Sequence, residues 1–347
     1  MKNIFILIDD ITQTGGTERV ACTLSNELYK KGYKVSLYSL KFSKKNINFE
    51  LDKGVVLRSF QRENKYLALI KIMKNIKKNN GCLIVISMGR LSVDVAIASI
   101  IHRPNKVIFS EHISYKSFSG IKQAIKRVSY FFADKIVFLT KNDQMLFSKR
   151  GRKEKYYTIK NINPYFSSNI SISQFEKRSN IALAVGRLTY QKNFPALIDI
   201  WSKTDTSDWE LIIIGNGEEK KTLENLAEHV KNIRFLPATS NISDYYNNAK
   251  LFLMTSHYEG LPMVLIESQY FGIPSIAYDC KTGPKEIIIN NETGYIIPYN
   301  NACIFSEKLK LLINDHSKLS DMHINSIKNK DQYSPGNIIG NWISLIG

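Results

Sequence analysis

Short runs of aliphatic and β-branched residues recur through this chain, spaced by amphipathic stretches of helix length, and no other feature limits its possible folds more. In the first half, strands are expected at NIFILI, KVSLYSL, VVLRSF, CLIVISM, KVIFSE and KIVFLT, with helices between them, among them ERVACTLSNELYKKG closing on Gly32. Strands that are apolar throughout need cover on both faces, which a parallel, doubly wound sheet provides. The rhythm breaks over residues 162–180, INPYFSSNISISQFEKRSN, a polar Ser/Asn-rich stretch that reads as an interdomain connection. It then restarts with IALAVGR, WELIIIG, NIRFLPA, LFLMTS and IPSIAYD. The expectation is therefore two Rossmann-like α/β domains, residues 1–165 and 166–332, facing across a cleft lined by the carboxyl ends of the strands, where ligands bind in such sheets. The tail, 333–347, is expected to return to the first domain. No repeat of 20–50 residues interrupts this reading.

A length of 347 residues suits two domains, and a 44% hydrophobic fraction suits ordinary packing. The apolar runs fall short of the ~18 residues that a membrane span needs. The opening KNIFILI ends in Asp9-Asp10 without a small-residue cleavage site, so it reads as a first strand and points to the cytoplasm. Cys22, Cys82, Cys280 and Cys303 show no C-x-x-C pairing, and each reads as a small buried hydrophobe. The charge is uneven: residues 1–170 hold 31 Lys+Arg against 12 Asp+Glu, leaving 17 against 19 for residues 171–347. The first half owns the whole positive excess, which speaks to an anionic partner: a membrane, a nucleic acid or a phosphate-bearing substrate.

The candidate chemistry gathers at strand ends. SHYEGLPMVLIESQYFG, residues 256–272, follows the strand LFLMTS. It reads as a loop, then a helix begun by Pro262 and ended by Gly272. The N–H groups of Leu261, Met263 and Val264, with the helix dipole, make an anion site suited to a diphosphate. Glu259 precedes this helix and Glu267 lies inside it, placed to accept hydroxyls of a ribose. Two glutamates eight apart say little by themselves, and Glu267 has an alternative as the partner of a neighbouring lysine. VGRLTYQKN, residues 185–193, sends Gly186, Arg187 and Lys192 to the same strand edge, where two cations would neutralise a diphosphate. TGPKEII, residues 282–288, adds a loop with Glu286, which by itself is no more than a turn. In the first half TQTGGTERV runs from strand to helix, and Gly15 and Gly16 admit a ligand close to the backbone. It lacks the G-x-G-x-x-G spacing of a dinucleotide site. SEHISY brings Glu111 and His112 to the expected cleft; a lone histidine is more often structural.

Taken together, GGTE, SEH, GRL with QKN, GNGEEKKTLE, EGLPMVLIE and GPKEI appear in an order that resembles glycosyltransferase family 4, retaining enzymes of the GT-B architecture, over nearly the whole chain. The resemblance implies that Glu267 holds the nucleotide ribose and Glu259 the donor sugar. It implies that Arg187 and Lys192 bind the diphosphate, with Gly186 and the Gly260–Leu261–Pro262–Met263–Val264 turn around the donor. Gly15 and Gly16 would approach it from the first domain, His112 would contact the transferred sugar, and Glu18 and Glu111 would face the acceptor. His112, Arg187, Lys192 and Glu259 are the catalytic set so implied. KTGPKEI departs from the family, many members of which carry two glycines before the proline where this chain has Thr282 and Gly283.

The resemblance thus implies transfer of a hexose or N-acetylhexosamine from a UDP-sugar, with no cofactor. The chain has no Asp-x-Asp pair, so no metal ligands are expected and the protein's cations would take that role. The pattern looks like bacterial transferases that extend polyprenyl-diphosphate-linked glycans for surface polysaccharide such as O-antigen or capsule. The expected location is the inner face of the plasma membrane, peripherally bound to anionic lipid. KYLALIKIMKNIKKNNG, residues 65–81, and IKQAIKRVSYFF, residues 121–132, each interleave lysines with an apolar stripe. Either reads as an interfacial helix or as an ordinary amphipathic helix packed on the sheet. Three other readings stay open. A UDP-sugar epimerase of GT-B-like fold would form product from donor alone, a silent nucleotide-sugar-binding protein would turn nothing over, and a nucleic-acid module would need exposed aromatics or a helix-turn-helix that the sequence does not display.

Overall fold

The computed structural model describes residues 2–148, 153–167, 171–206 and 208–347. The chain divides into two compact units, Met1–Pro164 together with Ser334–Gly347, and Tyr165–Tyr333.

The first unit is built on a seven-stranded sheet of β1 (Asn3–Asp10), β2 (Lys34–Lys41), β3 (Val56–Ser59), β4 (Cys82–Ser87), β5 (Lys106–Glu111), β6 (Lys135–Phe138) and β7 (Tyr156–Thr158). The order is β3-β2-β1-β4-β5-β6-β7, with neighbouring strands parallel. Helices α1 (Gly16–Lys30), α2 (Lys65–Lys78), α3 (Arg90–Ala98), α4 (Gly120–Ser129) and α5 (Lys141–Ser148) connect the strands. β4 is buried along its whole length, which is why CLIVIS contains no charge. α1 ends as expected at Gly32, whose φ of +85° lets the Gly32 N–H reach the Tyr29 carbonyl and the Tyr33 N–H reach that of Leu28.

The second unit carries β8 (Ile181–Val185), β9 (Glu210–Ile214), β10 (Ile233–Leu236), β11 (Leu251–Met254), β12 (Ser275–Asp279) and β13 (Gly294–Pro298) in the order β10-β9-β8-β11-β12-β13, again parallel. Its helices are α6 (Phe194–Ser202), α7 (Lys220–Ala227), α8 (Ile242–Asn248), α9 (Met263–Tyr270), α10 (Ala302–Asn314) and α11 (His316–Asn329). One core, with Trp201, Leu211, Ile213, Phe305 and Leu309 among its members, fills the space between this sheet and α6, α7, α10 and α11. The last helix, α12 (Pro335–Ile346), belongs to the first unit, where it packs on α1 and its Ile346 carbonyl accepts from Lys2 Nζ at 2.7 Å and Lys106 Nζ at 2.9 Å.

Three expectations change. The polar stretch 162–180 is not simply a connection, because Phe175 is buried in the second core and Arg178 reaches the carbonyls of Phe271 (2.8 Å) and Ala249 (3.2 Å). Residues 168–170 of that stretch lie outside the described residues. Two strands escape the sequence pattern, β7 and β13, and both are sheet edges. Cys22, Cys82 and Cys280 are buried, and burial pushes each thiol up to about 12, whereas Cys303 is exposed on α10.

Candidate active site

In both sheets the strand order reverses beside the first strand, between β1 and β4 and again between β8 and β11, and the loops leaving such neighbours at their carboxyl ends form a crevice. Gly15, Gly186, Arg187, Lys192 and Glu259–Pro262 lie on the segments that leave β1, β8 and β11, whereas Glu111 ends β5, His112 follows it, and Glu18 and Glu267 lie inside α1 and α9.

In the second unit, β8 runs into Gly186, Arg187 and a single 3-10 turn, Tyr190–Lys192. β11 runs into residues 255–262 and then α9. The two loops are stitched together: the His257 N–H donates to the Gln191 carbonyl (2.8 Å), Gln191 Nε2 to the Tyr258 carbonyl (3.0 Å) and Asn193 Nδ2 to the Thr255 carbonyl (3.1 Å). Asn193 takes the left-handed conformation, φ 51°, to turn the chain into α6. The stitching brings Lys192 Nζ to 2.7 Å from Glu259 Oε1, with side chains 15% and 8% exposed. Gly186 makes room for that lysine, since a Cβ there would lie 2.9 Å from Lys192 Cε. Arg187 is exposed at the end of β8.

α9 starts one residue later than expected. Pro262 is its N-cap, not its first helical residue, and has neither an N–H nor a capping side chain. The amides of Met263 and Val264 thus have no acceptor within the helix and stand at its positive end, four and five residues after Glu259. α9 is buried almost all round, so its glutamate is an exception with a cause: Glu267 accepts a 2.9 Å hydrogen bond from Tyr246 Oη on α8. Leu261 is buried and Gly260 lies under the next loop, where a Cβ on Gly283 (φ +101°) would meet the Gly260 carbonyl at 2.6 Å. Thr282, the departure from the family pattern, donates its hydroxyl to the Glu259 carbonyl at 2.6 Å. Neither Tyr246 nor this role for Thr282 is foreshadowed by any local pattern. His257, also unforeseen, packs its ring on Tyr190 and bonds Tyr299 Oη at 2.7 Å.

In the first unit, Asp10 at the end of β1 accepts from the Thr12 amide (3.0 Å), Thr12 Oγ1 (2.6 Å) and Gln13 Nε2 (2.9 Å), and so shapes the loop leading to Gly15 and Gly16. Gly15 is the N-cap of α1 at φ −91°, a conformation open to any residue, so what glycine supplies here is an uncovered helix N-terminus. Glu18, expected at the acceptor, is buried in the first turn of α1 and accepts from Thr17 Oγ1 at 3.0 Å. His112 continues β5 with its N–H on the Ser87 carbonyl (2.8 Å), and its Nε2 lies 2.9 Å from Ser110 Oγ. Burial lowers its pKa to about 4, so the ring is neutral at neutral pH.

Glu111 corrects the expectation. Its side chain is 1% exposed and its Oε1 lies 2.6 Å from Lys126 Nζ of α4. It holds α4 to the sheet and is closed to an acceptor. Lys126 also donates to the Gly89 carbonyl at 3.0 Å and to Ser92 Oγ, and burial lowers its pKa against the attraction of Glu111. Of the two lysine-rich stretches, α2 is an ordinary packed helix with Ala68, Leu69, Ile72, Met73 and Ile76 inward, whereas α4 is not.

A family model described as glycosyl transferases group 1 matches residues 167–329. The chain is 36% identical to the amylovoran biosynthesis glycosyltransferase AmsD of Erwinia amylovora, over all of both chains. It is 28% identical to a Campylobacter jejuni α-1,4-N-acetyl-D-galactosaminyltransferase whose name specifies an undecaprenol-diphosphate-linked glycan, over 100% of this chain and 98% of that protein. Among solved structures, Staphylococcus aureus TarM in complex with UDP superposes with a TM-score of 0.84 at 14% identity over 100% of both chains. Anabaena HepE in complex with UDP gives 0.79 at 17% identity, over 99% of this chain and 100% of that one. The fold of two parallel α/β sheets is the GT-B architecture of these neighbours.

Proposed function

The chain belongs to the group 1 glycosyl transferases, and from that premise we propose that it transfers a hexose or N-acetylhexosamine from a UDP-sugar, with retention at the anomeric carbon, to a polyprenyl-diphosphate-linked glycan in surface-polysaccharide assembly. The observation that carries the reading is the pairing of Lys192 with Glu259 beside the uncapped start of α9 and the exposed Arg187. Negative charge grows on the departing diphosphate as the glycosidic bond breaks. Arg187, Lys192 and the amides of Met263 and Val264 oppose that charge more strongly in the transition state than in the ground state. Glu259 accepts donor-sugar hydroxyls while keeping the Lys192 ammonium in place, and Glu267, aligned by Tyr246, accepts those of the ribose. Neutral His112 meets the transferred sugar, and Glu18 with the Gly15-Gly16 turn lies on the acceptor side. The protein's own cations take the role of a metal, so turnover proceeds in EDTA. The named acceptor class of the Campylobacter relative supports the lipid-linked reading, as does the basic first half. The enzyme then works at the inner face of the plasma membrane.

Isothermal titration with UDP and GDP tests the donor side. UDP should bind in EDTA, GDP more weakly, and Glu267→Ala should abolish UDP binding in a protein that still melts cooperatively. Absence of binding by either nucleotide, with or without Mg²⁺, would sink the reading.

A further inference from the structure

α4 is assembled inside out. At about 100° per residue, Ile121, Ile125 and Val128 share one face of the helix and Lys126 the opposite one. In a helix packed on a sheet the isoleucines face the sheet. Here Lys126 is 2% exposed, paired with Glu111, while Ile121 is 79% exposed, Ile125 49%, Val128 60% and Phe131, in the turn after the helix, 76%. The buried ion pair is the device that forces this orientation, because turning the isoleucines inward would strand Glu111 without its partner. α3 packs beside α4, and just past its end Ile100 and Ile101 are exposed as well. Exposed apolar side chains in such number on one helix and its neighbour mark a docking surface.

The charge around the stripe selects the occupant. Lys122 and Arg127 flank it on either side of the helix, and residues 112–133 include Lys116, Lys122, Lys126 and Arg127 with no Asp or Glu. A second copy of the chain meeting this face across a two-fold axis would set like charges against like. An anionic bilayer takes both parts, the apolar side chains among the acyl chains and the cations at the headgroups. Among the described residues no helix is long and apolar enough to cross a membrane, so attachment through this face would be peripheral.

We propose that α4 and the turn after it, through Ile121, Ile125, Val128 and Phe131 with Lys122 and Arg127, form the face by which this enzyme docks on anionic lipid. α2 has no part in it. The inference deepens the lipid-linked acceptor reading and rests on it for its purpose, but its measurement needs neither donor nor acceptor.

The test is flotation with vesicles of phosphatidylcholine alone and of phosphatidylcholine with an equal part of phosphatidylglycerol. The wild type should bind the anionic vesicles and lose much of that binding at high salt. Ile125→Glu with Phe131→Glu should weaken binding by about tenfold or more, and Lys122→Glu with Arg127→Glu should weaken it for anionic vesicles. Leu67→Glu, at an exposed position of α2, should leave it unchanged. Melting curves and UDP titration of each variant report folding and the donor site separately, so loss of docking and failure of the transferase reading are told apart. The proposal is overturned by no binding of the folded wild type, by binding that survives the Ile125 and Phe131 substitutions, or by a dimer in sedimentation velocity that those substitutions dissolve while vesicles are ignored.

Discussion

Each unit places a lysine–glutamate pair at the carboxyl edge of its sheet, and the two pairs differ in what surrounds them. Lys126 and Glu111 are 3% and 1% exposed and lie among Ser92, the Gly89 carbonyl and the Tyr130 ring. Lys192 and Glu259 are 15% and 8% exposed, on loops that carry an exposed arginine and an uncapped helix start. The first pair is closed by protein on every side that matters and orients a helix. The second has protein behind it and charge-binding groups beside it, which is the arrangement a ligand requires. The same two residue types thus clamp a helix in one place and, in the function proposed above, serve a ligand in the other, and burial is the difference between them.

The comparison breaks first at the clamp, where the effect should be largest. Lys126→Met leaves the Glu111 carboxylate buried without its cation and should cost about 3–5 kcal/mol of first-unit stability in urea denaturation. Adding Glu111→Gln should recover much of that loss. A single substitution costing under about 1 kcal/mol would show that the pair does not fix α4. Next comes the site pair. Lys192→Ala or Arg187→Ala should lower kcat by about 10²–10³ with donor present, while the melting temperature barely moves. A Lys192→Ala protein that unfolds but, where folded, turns over normally would make the second pair a clamp like the first.

The residues explain why some of this was legible and some was not. Strands buried on both faces, such as β4 and the Leu211–Ile214 part of β9, declare themselves because no charge is tolerated along them. The edge strands β7, with only three residues, and β13, bounded by Gly294 and Pro298, have one neighbour each and too little pattern to register. The placement of Arg187, Lys192 and Glu259 just past strand ends was legible because strand ends and a proline–helix junction are local. Tyr246 and Thr282 were not, since their partners Glu267 and Glu259 lie 21 and 23 residues away and only the fold brings them together. The reversal of α4 was hidden for the same reason: its stripe has the spacing of a core face, and what turns it outward is Glu111, 15 residues earlier on another element.

Acid should act on the clamp side first. Buried His112 is held neutral with a pKa of about 4, against 6.5 for the free group, so between those values the unfolded chain binds the proton and the folded one does not. Its contribution is fully present above pH 6.5 and is lost as pH falls toward 4. Lowering pH from 7.5 to 5 should remove about 2 kcal/mol of stability through this group alone. His112→Gln should flatten that part of the profile in urea denaturation. An unchanged slope would mean that burial does not hold the ring neutral.

The smallest effect sharpens the site side. The hydroxyl of Thr282 holds the backbone carbonyl of Glu259, the residue that pairs with Lys192. Gly283 beside it is fixed by its positive φ and its approach to the Gly260 carbonyl, so Thr282 is the residue of this turn open to substitution. Thr282→Ala removes one hydrogen bond, worth about 0.5–1.5 kcal/mol. If the bond aligns Glu259, kcat/KM for donor should fall by up to about tenfold, Thr282→Ser should restore it, and UDP affinity should stay constant because the nucleotide is held elsewhere on α9. If the bond merely braces the loop, the melting temperature should fall while kcat/KM does not. Only the first result makes Thr282 a positioning residue for the sugar.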